Sequence, residues 1–218
     1  MSKHNKIKRI VITGAPRSGT SAIKRLLGCN SGTVLTPCIY AVNGIVKFEV
    51  KLSPESIKVW KATKWILAEY LACLTKKLGD STHFVLIYRY PLDCYHSLLE
   101  LNKFRKEKTH PWVDYKTIEA YYSWYKQVHQ IAIPLLRRVN STFVSYEDFC
   151  YNPLVYKKLI LAKVGLCSDN RNYYDTTEKF LEDEKCLGLN QIVTDSVFRF
   201  GSDRKSDQIY NEIKKITQ

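Results

Sequence analysis

The sequence lacks three features that would assign it to a membrane, secreted or zinc-binding class. No stretch of about 18 consecutive apolar residues occurs in it, so a transmembrane helix is not predicted. The basic N-terminus runs to Gly14 without the apolar segment that a secretory signal needs. The seven cysteines are an odd number and form no C-x-x-C pair, which predicts neither a disulfide framework nor a zinc site. We therefore expect a cytoplasmic protein with reduced thiols and no bound metal.

Acidic residues are also few. The chain has 34 lysines and arginines against 21 aspartates and glutamates, a net charge of +13, so we expect its partners to be anionic. The basic residues are dispersed, and no basic-aromatic recognition element of a known type is present, so nucleic acid is not the expected partner. No repeat, low-complexity tract or linker divides the chain. The sequence predicts one domain that spans residues 1–218.

Strands and helices alternate along the chain. Short apolar runs rich in β-branched residues predict strands at residues 8–13, 83–88 and 142–145. Apolar residues at helical spacing predict helices at residues 18–27, 60–78, 92–102, 118–139 and 153–164. This alternation is typical of a three-layer α/β/α fold with a central parallel sheet. Because ligands bind such sheets where the strands end, the motifs at the strand ends are the candidate functional residues.

A glycine-bounded loop follows the first predicted strand and leads into a helix. It reads GAPRSGTS at residues 14–21, and in this context main-chain N–H groups and the positive end of a helix converge on a phosphate group. The spacing G-x-x-x-x-G matches the P-loop of nucleoside triphosphatases, but Thr20 stands where that loop has its lysine. The cation lies inside the loop instead, at Arg17. The loop is therefore predicted to bind an anion and is poorly suited to magnesium-assisted hydrolysis of a nucleoside triphosphate.

A second polar motif follows the strand predicted at residues 83–88. It reads RYPLD at residues 89–93, and Ser97 lies one helical turn further on. A P-loop triphosphatase would have an acidic magnesium anchor in this region, whereas this strand ends in Arg89. Asp93 stands where the next helix begins and is predicted to cap it. The motif favours a second anionic group beside the first.

The two motifs resemble those of the sulfotransferases. The loop G-x-P-R-S-G-T is similar to their 5′-phosphosulfate loop, and R-x-P-x-D with its following serine is similar to their 3′-phosphate motif. A third segment, FVSYEDF at residues 143–149 with a following Asn-Pro, resembles a Tyr-Glu-Asp stretch that is common in the family; its residues 146–148 are interpreted as mainly structural. The resemblance implies a P-loop NTPase-like sulfotransferase fold. It also implies the donor 3′-phosphoadenosine 5′-phosphosulfate (PAPS).

The resemblance also implies the residues that would contact this donor. Arg17 would contact the bridging and sulfuryl oxygens, Arg89 and Ser97 would bind the 3′-phosphate, and the rest of the loop would supply N–H and hydroxyl donors. Near the C-terminus, FRFG at residues 198–201 is similar to an element that closes over the 3′-phosphate, which adds Arg199. The implied donor-binding set is Ala15, Pro16, Arg17, Ser18, Gly19, Thr20, Ser21, Arg89, Ser97 and Arg199.

The general base is less well defined by the sequence. Sulfuryl transfer to a hydroxyl needs a base near the acceptor oxygen, and members of the family use a histidine or a glutamate. Glu49 lies near the position of the glutamate in relatives that use one, although it also fits a solvent-facing position of an alternating strand. His110 resembles the histidine of cytosolic relatives locally, but it follows the 3′-phosphate motif instead of preceding it. The predicted catalytic residues are Arg17 with Glu49 and His110.

The sequence leaves the acceptor and the oligomeric state open. We expect a hydroxyl acceptor (a carbohydrate, a small molecule or a tyrosyl group), and an acidic compound or a saccharide fits the basic chain. Two alternatives also stay open. One is a P-loop nucleotide kinase or triphosphatase, and the other is a non-catalytic nucleotide-binding homologue of the sulfotransferases.

Overall fold

A parallel sheet forms the centre of the computed structural model, which describes residues 7–28, 33–35, 41–42, 45–46, 57–105, 110–168 and 203–218. In chain order the strands are β1 (Arg9–Thr13), β2 (Thr33–Leu35), β3 (Ala41–Val42), β4 (Ile45–Val46), β5 (Ile57–Lys61), β6 (Thr82–Tyr88) and β7 (Ser141–Ser145). The central sheet has five strands in the order β2-β5-β1-β6-β7, and every pairing in it is parallel. Strands β3 and β4 pair with each other in antiparallel fashion.

Helices follow the strands, as the alternating pattern predicts. They are α1 (Thr20–Gly28), α2 (Ala68–Leu78), α3 (Pro91–Arg105), α4 (Ile118–Leu136), α5 (Tyr146–Tyr151), α6 (Pro153–Lys163) and α7 (Arg204–Thr217). Thr117 caps α4, Asp203 caps α7, and a proline begins α6, which are all favoured helix starts. None of the helices in the described ranges is long and apolar enough to span a membrane.

The sheet is covered on both faces. All residues of β6 are buried, and successive side chains of a strand point to opposite faces. Phe84 and Leu86 pack in a cluster with residues of α2, α3, α4 and α7, whereas Val85 and Ile87 pack in a second cluster with residues of α1, α5 and α6. The predicted three-layer α/β/α architecture with a central parallel sheet is therefore confirmed.

One predicted element is wrong in its first part. Residues 60–78 were expected to form one helix, but residues 57–61 form β5 and the helix begins only at Ala68. Strand β5 pairs with β1 on one side and with β2 on the other, so its backbone hydrogen bonds are made within the sheet. Trp60 packs in the same apolar cluster as Leu71 and Leu74, although it belongs to β5 and they belong to α2.

The described cysteines are free thiols. Cys94 and Cys150 are buried, Cys73 is half-buried and Cys167 is exposed. The remaining cysteines lie outside the described residues.

Candidate functional site

The two motifs that are predicted to bind anions meet at the carboxyl edge of the sheet. Strands β1 and β6 are parallel neighbours, so the loop after Thr13 and the segment after Tyr88 leave the sheet side by side. The Arg17 Nε donates a hydrogen bond to the Ser97 Oγ at 2.9 Å, across a separation of 80 residues. The Arg89 Nη1 donates to the main-chain oxygen of Arg17 at 3.3 Å. The structure thus brings together three side chains that the sequence assigned to two motifs.

The loop between β1 and α1 has an unusual backbone. Gly14 and Gly19 have φ angles of 155° and 97°, and Arg17 has a φ of 69°, in the left-handed region that non-glycine residues rarely adopt. A Cβ on Gly14 would overlap the main-chain oxygen of Ile87, and a Cβ on Gly19 would overlap the ring of Tyr146. The glycines therefore permit both the turn and its close approach to the ends of β6 and β7. The left-handed conformation of Arg17 costs about 1–2 kcal/mol, and such strain is concentrated at functional sites.

The loop holds polar groups that no part of the described chain satisfies. The side chain of Ser18 is fully buried, and its hydroxyl has no hydrogen-bond partner within the described residues. Helix α1 begins at Thr20, so its first amide groups have no acceptor within the helix and carry the positive end of the helix dipole. A buried hydroxyl beside a helix N-terminus is stabilised by an anion that accepts its hydrogen.

Lys61 adds a further positive charge at this edge. It is the last residue of β5, next to β1 in the sheet, and its Nζ donates to the Ser21 Oγ at 2.7 Å. The sequence analysis did not identify Lys61 because it predicted that residues 60–78 form a helix. Had β5 been recognised as a strand beside β1, its carboxyl end would have pointed to this residue.

The Arg89 side chain lies almost completely within the protein. It is 11% exposed, and its Nη2 pairs with the fully buried carboxylate of Asp93 at 3.4 Å. Its guanidinium lies over the ring of Tyr146, 4.5 Å from the centroid. The Arg89 Nε has no hydrogen-bond partner in the described parts of the structure. The arginine is therefore held in place from several sides and still has a donor left for a ligand.

The main chain next to Arg89 is fixed by the Tyr-Glu-Asp segment. The Tyr90 N–H donates to the Glu147 Oε1 at 2.9 Å, and the Tyr210 hydroxyl of α7 donates to the Glu147 Oε2 at 2.8 Å. Burial raises the pKa of Glu147 above its usual range, and these hydrogen bonds oppose the shift. The contacts of Glu147 fit the structural role that the sequence suggested.

The predicted site residues fall into three groups. Arg17, Arg89 and Ser97 lie together, while Ala15 is fully buried and its side chain belongs to the apolar core. His110 is half-buried, with its ring edge-on to Trp112 at 5.6 Å between centroids. Glu49 and Arg199 lie outside the described residues. The assignment of a general base therefore stays a prediction.

Tyr146 and Tyr125 also contact the predicted site, although the sequence analysis interprets Tyr146 as mainly structural and gives Tyr125 no role there. The Tyr146 ring lies against Gly19 and under Arg89, and the Tyr125 hydroxyl binds the main chain of Arg89. Tyr146 comes directly after β7, which lies parallel to β6 and ends at the same edge of the sheet. No comparable local signal marks Tyr125, which comes from the middle of α4.

The fold is similar to that of several solved sulfotransferase structures. The sulfotransferase domain of the Synechococcus PCC 7002 olefin synthase matches with a TM-score of 0.64 and 13% identity, over 98% of this chain and 97% of that chain. The sulfotransferase domain from the curacin biosynthetic pathway matches with a TM-score of 0.65 and 10% identity, over 94% and 96%. A mouse sulfotransferase complexed with PAP matches with a TM-score of 0.63 and 16% identity, over 94% and 82%.

Comparisons based on sequence found no match. No family model matches the chain, and no curated protein matches its sequence. At identities of 10–16%, the structural similarity shows the fold, which is that of the sulfotransferases. The predicted fold is confirmed for the residues that the structure describes.

Proposed function

We propose that this protein transfers a sulfuryl group from PAPS to a hydroxyl acceptor. The observation that carries the proposal is the junction of Arg17, Arg89 and Ser97 beside a glycine-bounded, left-handed loop at the carboxyl edge of the sheet. A donor with a phosphosulfate at one end and a 3′-phosphate at the other has the two anionic groups that these motifs would bind. Sulfotransferases of the same fold, one of them complexed with PAP, support this choice of donor.

The residues present fit such a donor. The hydroxyl of Ser18 and the Nε of Arg89 are buried donors without a partner among the described residues, and they belong to the two different motifs. An unsatisfied buried donor costs about 1–3 kcal/mol, so a ligand that supplies acceptors to both is stabilised at this place. The Lys61 ammonium and the N-terminus of α1 add positive charge on the side of the loop.

The chemistry needs charge stabilisation more than covalent catalysis. In the transfer, the bond between sulfur and the bridging phosphate oxygen breaks and a bond from sulfur to the acceptor oxygen forms. Negative charge develops on the departing phosphate, and the acceptor proton passes to a base. Arg17 and the main-chain N–H groups of the loop would stabilise the departing charge, since preorganised donors act without reorganisation. Glu49 and His110 are the proposed candidates for the base.

Calorimetry with adenosine 3′,5′-bisphosphate tests the donor site. We expect the wild-type protein to bind this nucleotide, and Arg17→Ala and Arg89→Ala to weaken binding at least tenfold, because each removes a charged donor worth about 1.5–3 kcal/mol. Arg138→Ala is the matched control, since it removes the same charge from an exposed turn after α4. Absence of binding, or an equal effect of all three substitutions, would contradict the proposal.

Turnover assays separate transfer from the alternatives. We expect transfer of labelled sulfate from PAPS to a panel of hydroxyl acceptors, with a rate that EDTA does not change. Magnesium-dependent hydrolysis of ATP would instead support a P-loop triphosphatase. Loss of turnover in Glu49→Gln or His110→Gln, with nucleotide binding retained, would identify the base. Nucleotide binding without turnover on any acceptor of the panel would favour the non-catalytic homologue.

A further inference from the structure

Arg89 has main-chain groups that the sheet does not satisfy. It follows the last residue of β6, beyond the final pair of the ladder with β7. Both of its main-chain polar groups bind one phenol of α4. The Arg89 N–H donates to the Tyr125 oxygen at 3.1 Å, and the Tyr125 hydroxyl donates to the Arg89 carbonyl oxygen at 2.7 Å. A single side-chain oxygen therefore takes the place of the missing strand partner.

The next amide is held in a similar way. The Tyr90 N–H donates to the buried carboxylate of Glu147, whose other oxygen accepts from the Tyr210 hydroxyl and from the Ser145 Oγ. These partners come from β7, α5 and α7, so the turn after β6 is tied to three other elements. We call Tyr125 and Glu147 the Arg89 clamp.

The Tyr125 side of the clamp is rigid. Tyr125 is 0% exposed, and its ring lies 4.2 Å from the His129 ring and 5.8 Å from the Tyr121 ring, measured between centroids. Burial raises the pKa of Tyr125 well above its usual value, so the phenol stays protonated and remains able to donate. In a close-packed core such a ring has little freedom to shift.

We propose that the Arg89 clamp positions the Arg89 guanidinium for a 3′-phosphate and so gives the protein its preference for nucleotides that carry one. This inference rests on the proposed function. The guanidinium presents its donors in a fixed planar arrangement. Its contacts with a ligand therefore depend on the position of the Arg89 main chain, from which the side chain extends. A supporting residue that lets such a group shift by about 1 Å weakens binding without touching the ligand.

Tyr125→Phe tests the clamp, because it removes only the hydroxyl and keeps the ring. We expect the Kd of adenosine 3′,5′-bisphosphate to rise about tenfold, the usual loss for one well-placed interaction, while the Kd of adenosine 5′-phosphate changes less than about twofold. Tyr121→Phe is the matched control. Tyr121 is equally buried and lies one turn earlier in α4, but the Arg89 N–H and carbonyl oxygen pair with the Tyr125 hydroxyl and not with that of Tyr121.

Hydrogen exchange gives a readout that does not depend on the nucleotide. In Tyr125→Phe, we expect the Arg89 amide to exchange at least tenfold faster than in the wild type, and the amides of the β6 interior to exchange at their former rate. An unchanged Arg89 amide would overturn the clamp. Faster exchange with equal losses of affinity for both nucleotides would assign Tyr125 a merely structural role.

The experiments distinguish a failure of the proposed function from a failure of the Arg89 clamp. If the wild-type protein binds both nucleotides equally, the 3′-phosphate site is wrong, and with it the link from the clamp to the ligand, whereas the exchange data still decide whether Tyr125 fixes Arg89. If Tyr125→Phe does not fold, Glu147→Gln replaces it. We expect that variant to reduce the preference for the 3′-phosphate and to speed exchange at Tyr90; an unchanged preference would overturn the proposal.

Discussion

At the scale of single residues, Arg17 combines a side chain that we propose contacts the donor with an unfavourable backbone conformation. Its φ of 69° is one that glycine adopts freely, and its neighbours Gly14 and Gly19 also have positive φ angles. An arginine at such a position is retained at a cost in stability, which is expected where the side chain serves binding or catalysis.

Substitutions at Arg17 can measure this cost. Both Arg17→Gly and Arg17→Ala remove the guanidinium and its contact with Ser97, but only glycine is free of the left-handed strain. We expect Arg17→Gly to have a free energy of unfolding about 1 kcal/mol higher than Arg17→Ala, measured by urea denaturation. At an ordinary loop position the alanine variant is more stable than the glycine variant. If Arg17→Ala is more stable than Arg17→Gly, the left-handed conformation of Arg17 is contradicted.

Two buried histidines make the stability of the fold dependent on pH. Burial lowers the pKa of His83 in β6 and of His129 in α4 to about 4, from an ordinary 6.5. As the pH falls below 6.5, the unfolded chain therefore takes up protons before the folded one does, and unfolding becomes easier. We expect each histidine to lower the free energy of unfolding by on the order of 2 kcal/mol between pH 7.5 and pH 5. His129→Gln should show a correspondingly smaller loss over this range in urea denaturation; a loss equal to that of the wild type would argue against a neutral buried imidazole.

At the scale of elements, α7 contributes to the site although it lies far along the chain. Its residues Ile209 and Ile213 pack in the apolar cluster beneath the sheet, and Tyr210 reaches the Glu147 carboxylate. The sequence analysis predicts no helix for residues 204–217, which form α7. Through Tyr210 and Glu147, α7 therefore helps to hold the turn after β6.

The caps of α4 and α7 differ in what they hold. Within the described residues, the Thr117 side chain accepts the Ala120 N–H, whereas the Asp203 side chain accepts the N–H groups of Lys205 and Ser206 and also the buried Tyr122 hydroxyl. We expect Thr117→Ala to lower the free energy of unfolding by about 1 kcal/mol and Asp203→Ala by about 2–3 kcal/mol, because the latter also leaves a buried phenol without its acceptor. Thermal and urea denaturation of both variants give the comparison. Equal losses would mean that the Tyr122 contact contributes nothing.

At the scale of the whole molecule, we expect the net charge of +13 to attract an anionic ligand through the solvent over a long range. Arg17 is exposed, whereas the Arg89 side chain is 11% exposed and shielded from salt by the protein around it. Salt screens exposed charges more than buried ones, since the screening length falls from about 10 Å at 0.1 M to about 3 Å at 1 M. Steering of an anionic donor by the basic surface should therefore weaken as salt is added.

A salt titration measures this steering. Between about 0.05 M and 0.5 M NaCl, we expect the Kd of adenosine 3′,5′-bisphosphate to rise several-fold, because exposed charges contribute to its binding. Adenosine, which has no phosphate, should show no such rise. Equal salt dependence of the two ligands would contradict an electrostatic contribution.

The sequence by itself determined the fold class, and it predicted the chemical character of the site. The alternation of strands and helices predicted the parallel sheet. The loop at residues 14–21 and the motif that begins at Arg89 are local patterns that each predicted an anion-binding group at the end of a strand. Local periodicity failed at residues 57–61, because a strand in the middle of a sheet is defined by its hydrogen-bonded neighbours and not by its own pattern.

Only the tertiary structure decided which of these groups meet. Arg17 contacts Ser97 across 80 residues, and Tyr125 of α4 holds the main chain of Arg89 across 36. Such pairs arise from the packing of helices on the two faces of the sheet, which brings together residues that are distant in sequence and leaves no local pattern to reveal them. The types of residue determine which groups the site could bind, and the packing of the core determines how firmly those residues are held in place.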